Sequence, residues 1–383
     1  MKVHRGYKVE LDLNNEQRTL CLKHAGCARF AWNWGLARKQ EAYQQTGKMP
    51  TAIDLHKELN ALKKAEYPWM YEVSKCAPQE ALRDLDLAYR NAYRRLKEKR
   101  AGKASGKVGW PRFKSRNKAI GGFRLTGSIH IFPDRIQLPR LGTLRLKEQG
   151  YLPVGAKVAQ ATVRECAGRW YVSVQLEQEC DEIAPGNGPA IGIDLGIKAL
   201  ATCSDGSVYE NPQALRSSLK RLRRRSRQHC RKVKGSKNRA KARIRLAKLH
   251  ARIAHVRKDT LEQATTAIVT KATSQRARGL VLEELNVSGM LKNRHLSRAL
   301  ADVGLYEFRR QLTYKAEAVG LLVKIVSRWY PSSKTCSCCG WIDEQQTLAD
   351  RTFICQACGV VLDRDYNAAC NLAASGSSQD ELP

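Results

Sequence analysis

Three acidic side chains stand where acids are expensive. Asp194 ends the apolar run Ala190-Ile191-Gly192-Ile193, and Glu283 ends Gly279-Leu280-Val281-Leu282. Asp365 opens the helix-like stretch Asp365-Tyr366-Asn367-Ala368-Ala369. Taken singly, such acids have ordinary explanations: Asp194 as a turn former, Glu284 as a solvent charge, Asp365 as a helix N-cap. Together they say more. An acid in an apolar strand is costly to bury unless paired, and three converging acids repel unless cations lie between them. Two divalent metals held by carboxylates supply that charge and serve in-line phosphoryl transfer. Hard oxygen ligands and a phosphate substrate favour magnesium. One ion would activate water and the other would stabilise the leaving 3′ oxygen. Glu283 is preferred to Glu284 because it directly follows the apolar run. Asp365 is preferred to Asp363, the reserve candidate, because it sits at the helix start.

A second constellation is made of thiols. Cys336-x-x-Cys339-Gly340 and Cys355-x-x-Cys358-Gly359 stand 15 residues apart. This is the spacing of a two-knuckle ribbon around one structural zinc. A glycine after each second cysteine permits the tight turn that aims backbone amides at sulfur. Cys338 lies inside the first knuckle but lacks that glycine. Cys166, Cys203 and Cys370 are expected to pack as small hydrophobes. Thirteen cysteines, an odd number, imply a reducing compartment rather than a disulfide framework.

The elements that must position these groups follow from pattern. Residues 7–13 alternate as a strand, and Asn14-Asn15-Glu16-Gln17 reads as a capped helix start. Helical spacing continues to about Gln45 and again from about Ile53 to Arg100. Residues 110–116, Trp-Pro-Arg-Phe-Lys-Ser-Arg, mix aromatics with cations. From Phe123 to Gln178 short strands dominate, clearest at 129–131, 135–138 and 170–176. That implies a small antiparallel barrel or sandwich with the helices inserted after its first strand. Asp181–Pro189 reads as a linker, and a new domain starts at Ala190. Ala190–Gly196 reads as a strand, and Lys198–Tyr209 pairs with it as a hairpin through Ser204-Asp205-Gly206-Ser207. The zinc ribbon is inserted between the last strand, about Leu321–Arg328, and Asp365. The tail after Ala374 reads as disordered.

Composition bounds the partner. The chain has 383 residues, with 68 Lys plus Arg against 36 Asp plus Glu, a net charge of +32. That excess repels itself, and a polyanion is the economical partner. Arg216–Lys258 concentrates it, with 19 cations and no acid. The stripe Leu246, Leu249, Ile253 and Val256 predicts a helical hairpin there, broken near Gly235-Ser236. A solvated helix face usually mixes signs, so nucleic-acid contact is the better reading. Arg221, Arg223, Arg224, Arg225, Arg227 and Arg231 are its densest cations. Hydrophobic residues at 43% exclude disorder throughout. No apolar run is long enough for a transmembrane helix and the start lacks a signal-peptide core, so a cytoplasmic (cytosol or nucleoid) location without membrane is expected.

The order strand-Asp, hairpin, strand-Glu, helix-Asp resembles the RNase H-like fold in its RuvC nuclease version, which makes Asp194, Glu283 and Asp365 the catalytic ligands of two Mg²⁺. The motifs together resemble the TnpB family of transposon-borne RNA-guided nucleases. They are Gly192-Ile-Asp-Leu-Gly196, Glu283-x-Leu-Asn-Val-x-Gly-Met290, Ser332-Ser-Lys-Thr-Cys336, the ribbon and Asp363-Arg-Asp-x-Asn-Ala-Ala369. Arg29-Phe-x-Trp-Asn-x-x-Leu36 and Pro111-Arg-Phe-Lys-Ser-Arg116 agree.

The resemblance implies an α/β and β multidomain protein. A β-barrel wedge domain (1–13 and 121–183) would hold a helical recognition lobe (14–120). A RuvC-like domain (190–330 and 360–374) would carry the basic hairpin 213–275, the zinc ribbon (331–359) and a disordered tail (375–383). It further implies a guide RNA from the transposon end, a double-stranded target DNA opened beside a short motif, and one nuclease site. Guide pairing would choose most of the sequence. Lys75, Gln79 and Arg83 stand near the expected motif-reading place. Arg112, Phe113, Lys114 and Arg116 combine charge with stacking. A guided repressor without cleavage would have lost an acid. A junction resolvase would not need the N-terminal half, and a strand-transferring transposase would join DNA rather than only break it.

Overall fold

The computed structural model describes residues 2–116, 119–179, 184, 186–347 and 350–377. It divides into two compact units, Met1–Cys180 and Asp181–Pro383. Four residues of the expected linker, Asp181, Glu182, Ile183 and Pro185, lie outside the described residues, as does 378–383 of the expected tail.

The first unit opens with β1 (Lys2–Asp12) and α1 (Asn15–Thr46). Asn14 caps α1 in a reciprocal box with Gln17, and Gly47 ends it in the left-handed region. Then come α2 (Ala52–Lys63), a 3₁₀ turn at Pro68–Glu72 and α3 (Cys76–Arg100). The remaining elements are strands: β2 (Gly122–Leu125), β3 (His130–Ile131), β4 (Arg135–Leu138), β5 (Gly142–Leu146), β6 (Val158–Cys166) and β7 (Arg169–Glu179). They form one antiparallel sheet in the order β2-β6-β7-β1-β5-β4-β3. Among the described residues no ladder joins its outer strands, β2 and β3. Alternation in β4 buries Ile136 and Leu138 and exposes Arg135 and Gln137, as a one-sided sheet requires. Helices and sheet share one core, from Ala25, Leu55 and Leu82 to Leu144, Val163 and Val172.

The second unit is a mixed sheet with helices. β8 (Ile191–Leu195), β9 (Ala199–Cys203) and β10 (Val208–Glu210) run antiparallel as a meander. The hairpin helices α4 (Ala214–Cys230) and α5 (Lys237–Ser274) follow, with Ser236 capping α5. β11 (Gly279–Glu283) returns parallel to β8. After α6 (Val287–Met290), α7 (Ser297–Val303) and α8 (Leu305–Glu317), β12 (Leu322–Val326) adds parallel to β11. The sheet order is β10-β9-β8-β11-β12. A small hairpin of β13 (Thr352–Ile354) and β14 (Val361–Asp363) leads into α9 (Arg364–Ser377). The central strands β8 and β11 bury nearly every side chain up to their terminal acids.

Three expectations change. The helix α9 continues through Ser377, into the stretch read as tail. Ser375 Oγ donates to Leu372 O (2.7 Å), and the Lys324 ammonium donates to Ser375 O (2.8 Å), so strand β12 holds this end. The stripe on α5 is shorter than its spacing suggested: Leu249 and Ile253 are buried, Leu246 is half-buried and Val256 is exposed. Only the base of the hairpin has an apolar partner, around Ala214, Leu215 and Leu222. Cys203 is buried, whereas Cys166 is exposed near the end of β6 and Cys370 is half-buried.

Candidate metal and nucleic-acid sites

Parallel pairing sets the first two acids side by side. Leu282 is opposite Ile193, so the chain ends β11 at Glu283 one step beside Asp194 on β8. The third arrives on α9, whose backbone lies directly on β8. A β-carbon at Gly192 would sit 1.9 Å from Ala369 O, so only glycine admits the helix this close. Ala368 and Ala369 are fully buried against the sheet. Burial, then the charges of Asp365 and Glu283, push the Asp194 carboxyl up to about 7; Arg364 opposes this and Asp363 adds to it. Burial also raises the pKa of Glu283. Glu284 is exposed.

Asp363 has another task. Its carboxylate accepts the backbone N–H groups of Asp365 (2.9 Å) and Tyr366 (3.1 Å), which is the capping role considered above for Asp365. Asp365 is thereby released from capping, and its Oδ1 accepts from the Arg364 guanidinium at 3.1 Å. Arg364 also donates to Thr347 O of the ribbon (3.3 Å). Sequence reasoning passed over Arg364; its signal was a cation between two candidate ligands.

The cysteines gather closely. The sulfurs of Cys336, Cys339, Cys355 and Cys358 all lie within 4.8 Å of one another. Cys336 Sγ is 3.7 Å from Cys358 Sγ, and Cys339 Sγ is 3.5 Å from Cys355 Sγ. A zinc tetrahedron with bonds of about 2.3 Å has edges near 3.8 Å, so the four thiols fit zinc. The two knuckles repeat one geometry: Gly340 N–H to Cys336 O and Gly359 N–H to Cys355 O, both 3.0 Å, with each glycine in the left-handed region. Burial works against the Cys355 thiolate, yet the N–H groups of Cys358 and Ala357 and the neighbouring thiols bring it down to about 7. Cys338 is exposed and outside the cluster. Among the described residues this is the one group of three or more metal-type ligands so tightly drawn together.

The ribbon is tied to α9. Asn367, fully buried, donates to Thr335 O (2.7 Å) and accepts Ser337 N–H (2.9 Å). Asn371, one turn on, donates to Ser332 O (2.7 Å) and Thr335 O (2.6 Å). The Asp-x-Asn-Ala-Ala motif thus has a physical division of labour. The aspartate brings a charge that acts on Asp194, the asparagine grips the first knuckle, and the alanines lie on the sheet.

The cationic hairpin is anchored by an acid missed in the sequence. Asp302, 5% exposed, accepts the N–H groups of Leu215 (2.9 Å) and Arg216 (3.2 Å) at the start of α4. It also pairs with Arg257 on α5 (2.8 Å). Arg221, Arg223, Arg224, Arg227 and Arg231 are exposed, and Arg225 is half-buried. Arg225, Arg231, Lys232, Lys241 and Arg245 line a cleft between the two helices.

In the first unit, Lys75 and Arg83 are exposed and Gln79 is half-buried on the start of α3; Arg83 pairs with Glu80 (2.6 Å). Arg112, Phe113, Lys114 and Arg116 are exposed along the segment after α3.

These features define a mixed α/β protein whose strand-end acids and four-cysteine ribbon share one C-terminal helix. Residues 173–294 match the family described as "Probable transposase", and residues 306–372 match the "Cas12f1-like, TNB domain". Residues 1–48 match a "Helix-turn-helix domain", although here they form one strand and a single long helix. A Streptomyces pristinaespiralis protein named "Putative RNA-guided DNA endonuclease" is 34% identical over 98% of this chain and 90% of its own length. A similarly named protein of Escherichia coli, InsQ, is 32% identical over 98% of this chain and 93% of its own. The "CRISPR-associated endodeoxyribonuclease Cas12f1" of Sulfoacidibacillus thermotolerans is 26% identical over 54% of this chain and 50% of its own. The solved mini-RNA-guided endonuclease CRISPR-Cas_phi3 covers 98% of this chain and 92% of its own, with TM-score 0.46 and 9% identity, a likeness too distant to bear on function. The chain belongs to the OrfB/TnpB family.

Proposed function

We propose that the protein is a transposon-associated RNA-guided DNA endonuclease that hydrolyses phosphodiester bonds with a RuvC-like site. One observation carries the reading. Burial of the Asp194 carboxyl, together with the charges of Asp365 and Glu283 brought from distant parts of the chain, lifts it to about 7. The near full-length relatives named as RNA-guided DNA endonucleases support the same activity.

The donor set suits magnesium: three carboxylates, one of them held in a charge state that repulsion opposes until cations arrive. Magnesium bound by Asp194, Glu283 and Asp365 would supply Lewis acidity for phosphodiester hydrolysis. The chain's own residues then have definite tasks. β8 and β11 present two acids from rigid strands. Asp363 caps α9 and leaves Asp365 free to face them. Arg364 balances Asp365 and spans to the ribbon. The four cysteines would hold zinc, and Asn367 and Asn371 tie their first knuckle to the helix that carries Asp365.

The second unit supports assignment as the RuvC-like domain with its inserted ribbon. The first supports assignment as a strand-built wedge with a helical recognition lobe. In this reading the basic hairpin lies along a guide RNA from the transposon end or its heteroduplex with target DNA. Lys75, Gln79 and Arg83 read the adjacent motif.

The test has two parts. RNA extracted from protein purified with its native locus should be one species from the flanking element. Protein loaded with that RNA should cut a matched plasmid in Mg²⁺. Asp194→Ala should bind the plasmid and leave it intact; cutting at the normal rate would remove the site assignment. Joined rather than broken products would indicate a strand-transferring transposase.

A further inference from the structure

The segment between α3 and β2 has no regular structure as far as Arg116, yet it is fixed in place. Trp32 Nε1–H donates to Arg112 O (3.0 Å). Asn33 donates to Lys114 O (2.9 Å) and accepts Lys114 N–H (2.8 Å). The Lys114 ammonium lies 3.5 Å from the centre of the Trp32 ring. The backbone is therefore pinned on both sides of Phe113, a residue 56% exposed. A large aromatic held toward water on a fixed backbone forgoes the burial it would gain by packing.

Beside it opens a cavity of about 520 Å³ within the first unit. That lies in the range of about 300–1,000 Å³ usual for small-molecule sites. Ala25 and Ala28 of α1 and Ala77 and Ala81 of α3 line it with small apolar surface. Arg124 and Asp84, joined at 2.7 Å, add a donor and an acceptor side by side. The Nε of Arg124 is buried and has no hydrogen-bond partner among the described residues. Arg29, Arg112 and Arg164 supply positive charge to the same lining.

A ring with a polar edge and an attached anion matches each of these features. Alanines and Phe113 face the ring, Arg124 and Asp84 face its edge, and the remaining arginines face a phosphate. We propose that this cavity holds one unpaired nucleotide of a single-stranded segment, base inward. A base in a duplex is denied entry by its pairing and stacking partners. The inference rests on the nucleic-acid reading of the protein and is independent of the cleavage chemistry of the second unit. RNA and DNA present the same ring and phosphate, and the experiment separates them.

The test is fluorescence anisotropy of the full chain with a labelled single-stranded RNA, a single-stranded DNA of the same sequence, and the corresponding duplex. Phe113→Ala should weaken binding of the single strand that uses the pocket by about 5- to 150-fold, the loss expected for one stacked base. Phe113→Tyr should stay within about threefold of the unaltered protein, because stacking is retained. Thr162→Phe keeps a strand-favouring residue on β6 while filling the cavity, and should reproduce the loss. The slope of log affinity against log salt should not change, since no cation is removed. The strand that responds identifies the source. Single-strand affinity within twofold for both Phe113→Ala and Thr162→Phe, at unchanged melting temperature, would overturn the proposal. So would an equal loss for the duplex. If the unaltered protein fails to cut DNA while the Phe113 effect stands, the nuclease reading falls and the pocket remains.

Discussion

At the scale of single residues, the account turns on charge that only cations relieve. An aspartate whose folded pKa is raised from 3.8 to about 7 binds more protons folded than unfolded between those values. Stability from this group is therefore present at low pH and lost as pH rises through about 7. In a chelator, Asp194→Asn should melt above the unaltered protein at pH 8, with the gap closing toward pH 4. Three pKa units correspond to about 4 kcal/mol at most. A gap that is constant across this range would show that Asp194 is not titrating as argued. Position in the strand also separates two neighbouring acids. Glu283→Gln should abolish cutting, while Glu284→Gln should leave its rate within about threefold; the reverse pattern would move the ligand one residue along. The acids themselves were legible in the sequence because burying charge is costly enough to mark them. Asp365 was preferred to Asp363 from its place at the helix start, but the capping role of Asp363 was not legible. Which of two acids caps a helix depends on where its first turn begins, and that is settled in three dimensions.

At the scale of elements, the ribbon and α9 behave as one device. Asn367 and Asn371 donate three hydrogen bonds to two carbonyls, those of Ser332 and Thr335, and accept one N–H of the first knuckle. Cys355→Ser should remove the zinc, measured by mass spectrometry of metals as less than one ion per chain. It should also lower cutting by misplacing Asp365, with plasmid binding less affected. Asn367→Ala leaves the half-buried Ser337 N–H without its partner, at about 1–3 kcal/mol, while Thr335 O keeps its bond from Asn371. It should retain zinc yet cut more slowly; full activity would show that the ribbon does not position the helix. The cysteine spacing announced the ribbon, since metal geometry is short-range. The asparagines gave little warning because their partners are 30 to 39 residues away. The same holds for Asp302, which anchors the cationic hairpin from 86 residues beyond it. Conversely, the apolar stripe on α5 overstated burial. Helical periodicity shows which residues share a face, but not how far along the helix a partner extends.

At the scale of the whole molecule, the charge of +32 is a property of function rather than fold. It concentrates on a hairpin whose base alone is packed, leaving the outer cations directed to solvent. Replacing Arg221, Arg223, Arg224, Arg225, Arg227 and Arg231 with glutamine should weaken RNA binding. Each lost phosphate contact flattens the log–log salt slope by about 0.7–0.9, or about 4–5 for all six. Unchanged affinity and slope would make the hairpin an ordinary solvated face. No helix among the described residues is long and apolar enough to cross a membrane. Strand and helix types were broadly readable from alternation and caps. The seven-strand order was not, because β1 pairs with strands more than 130 residues later.

The central claim is that Asp194, Glu283 and Asp365 together hold divalent cations. Anomalous diffraction from crystals soaked in manganese measures this directly. The account predicts manganese bound against all three carboxylates, and its loss in Asp194→Ala with zinc still in the ribbon. Manganese absent from these side chains, or bound unchanged in Asp194→Ala, would contradict it.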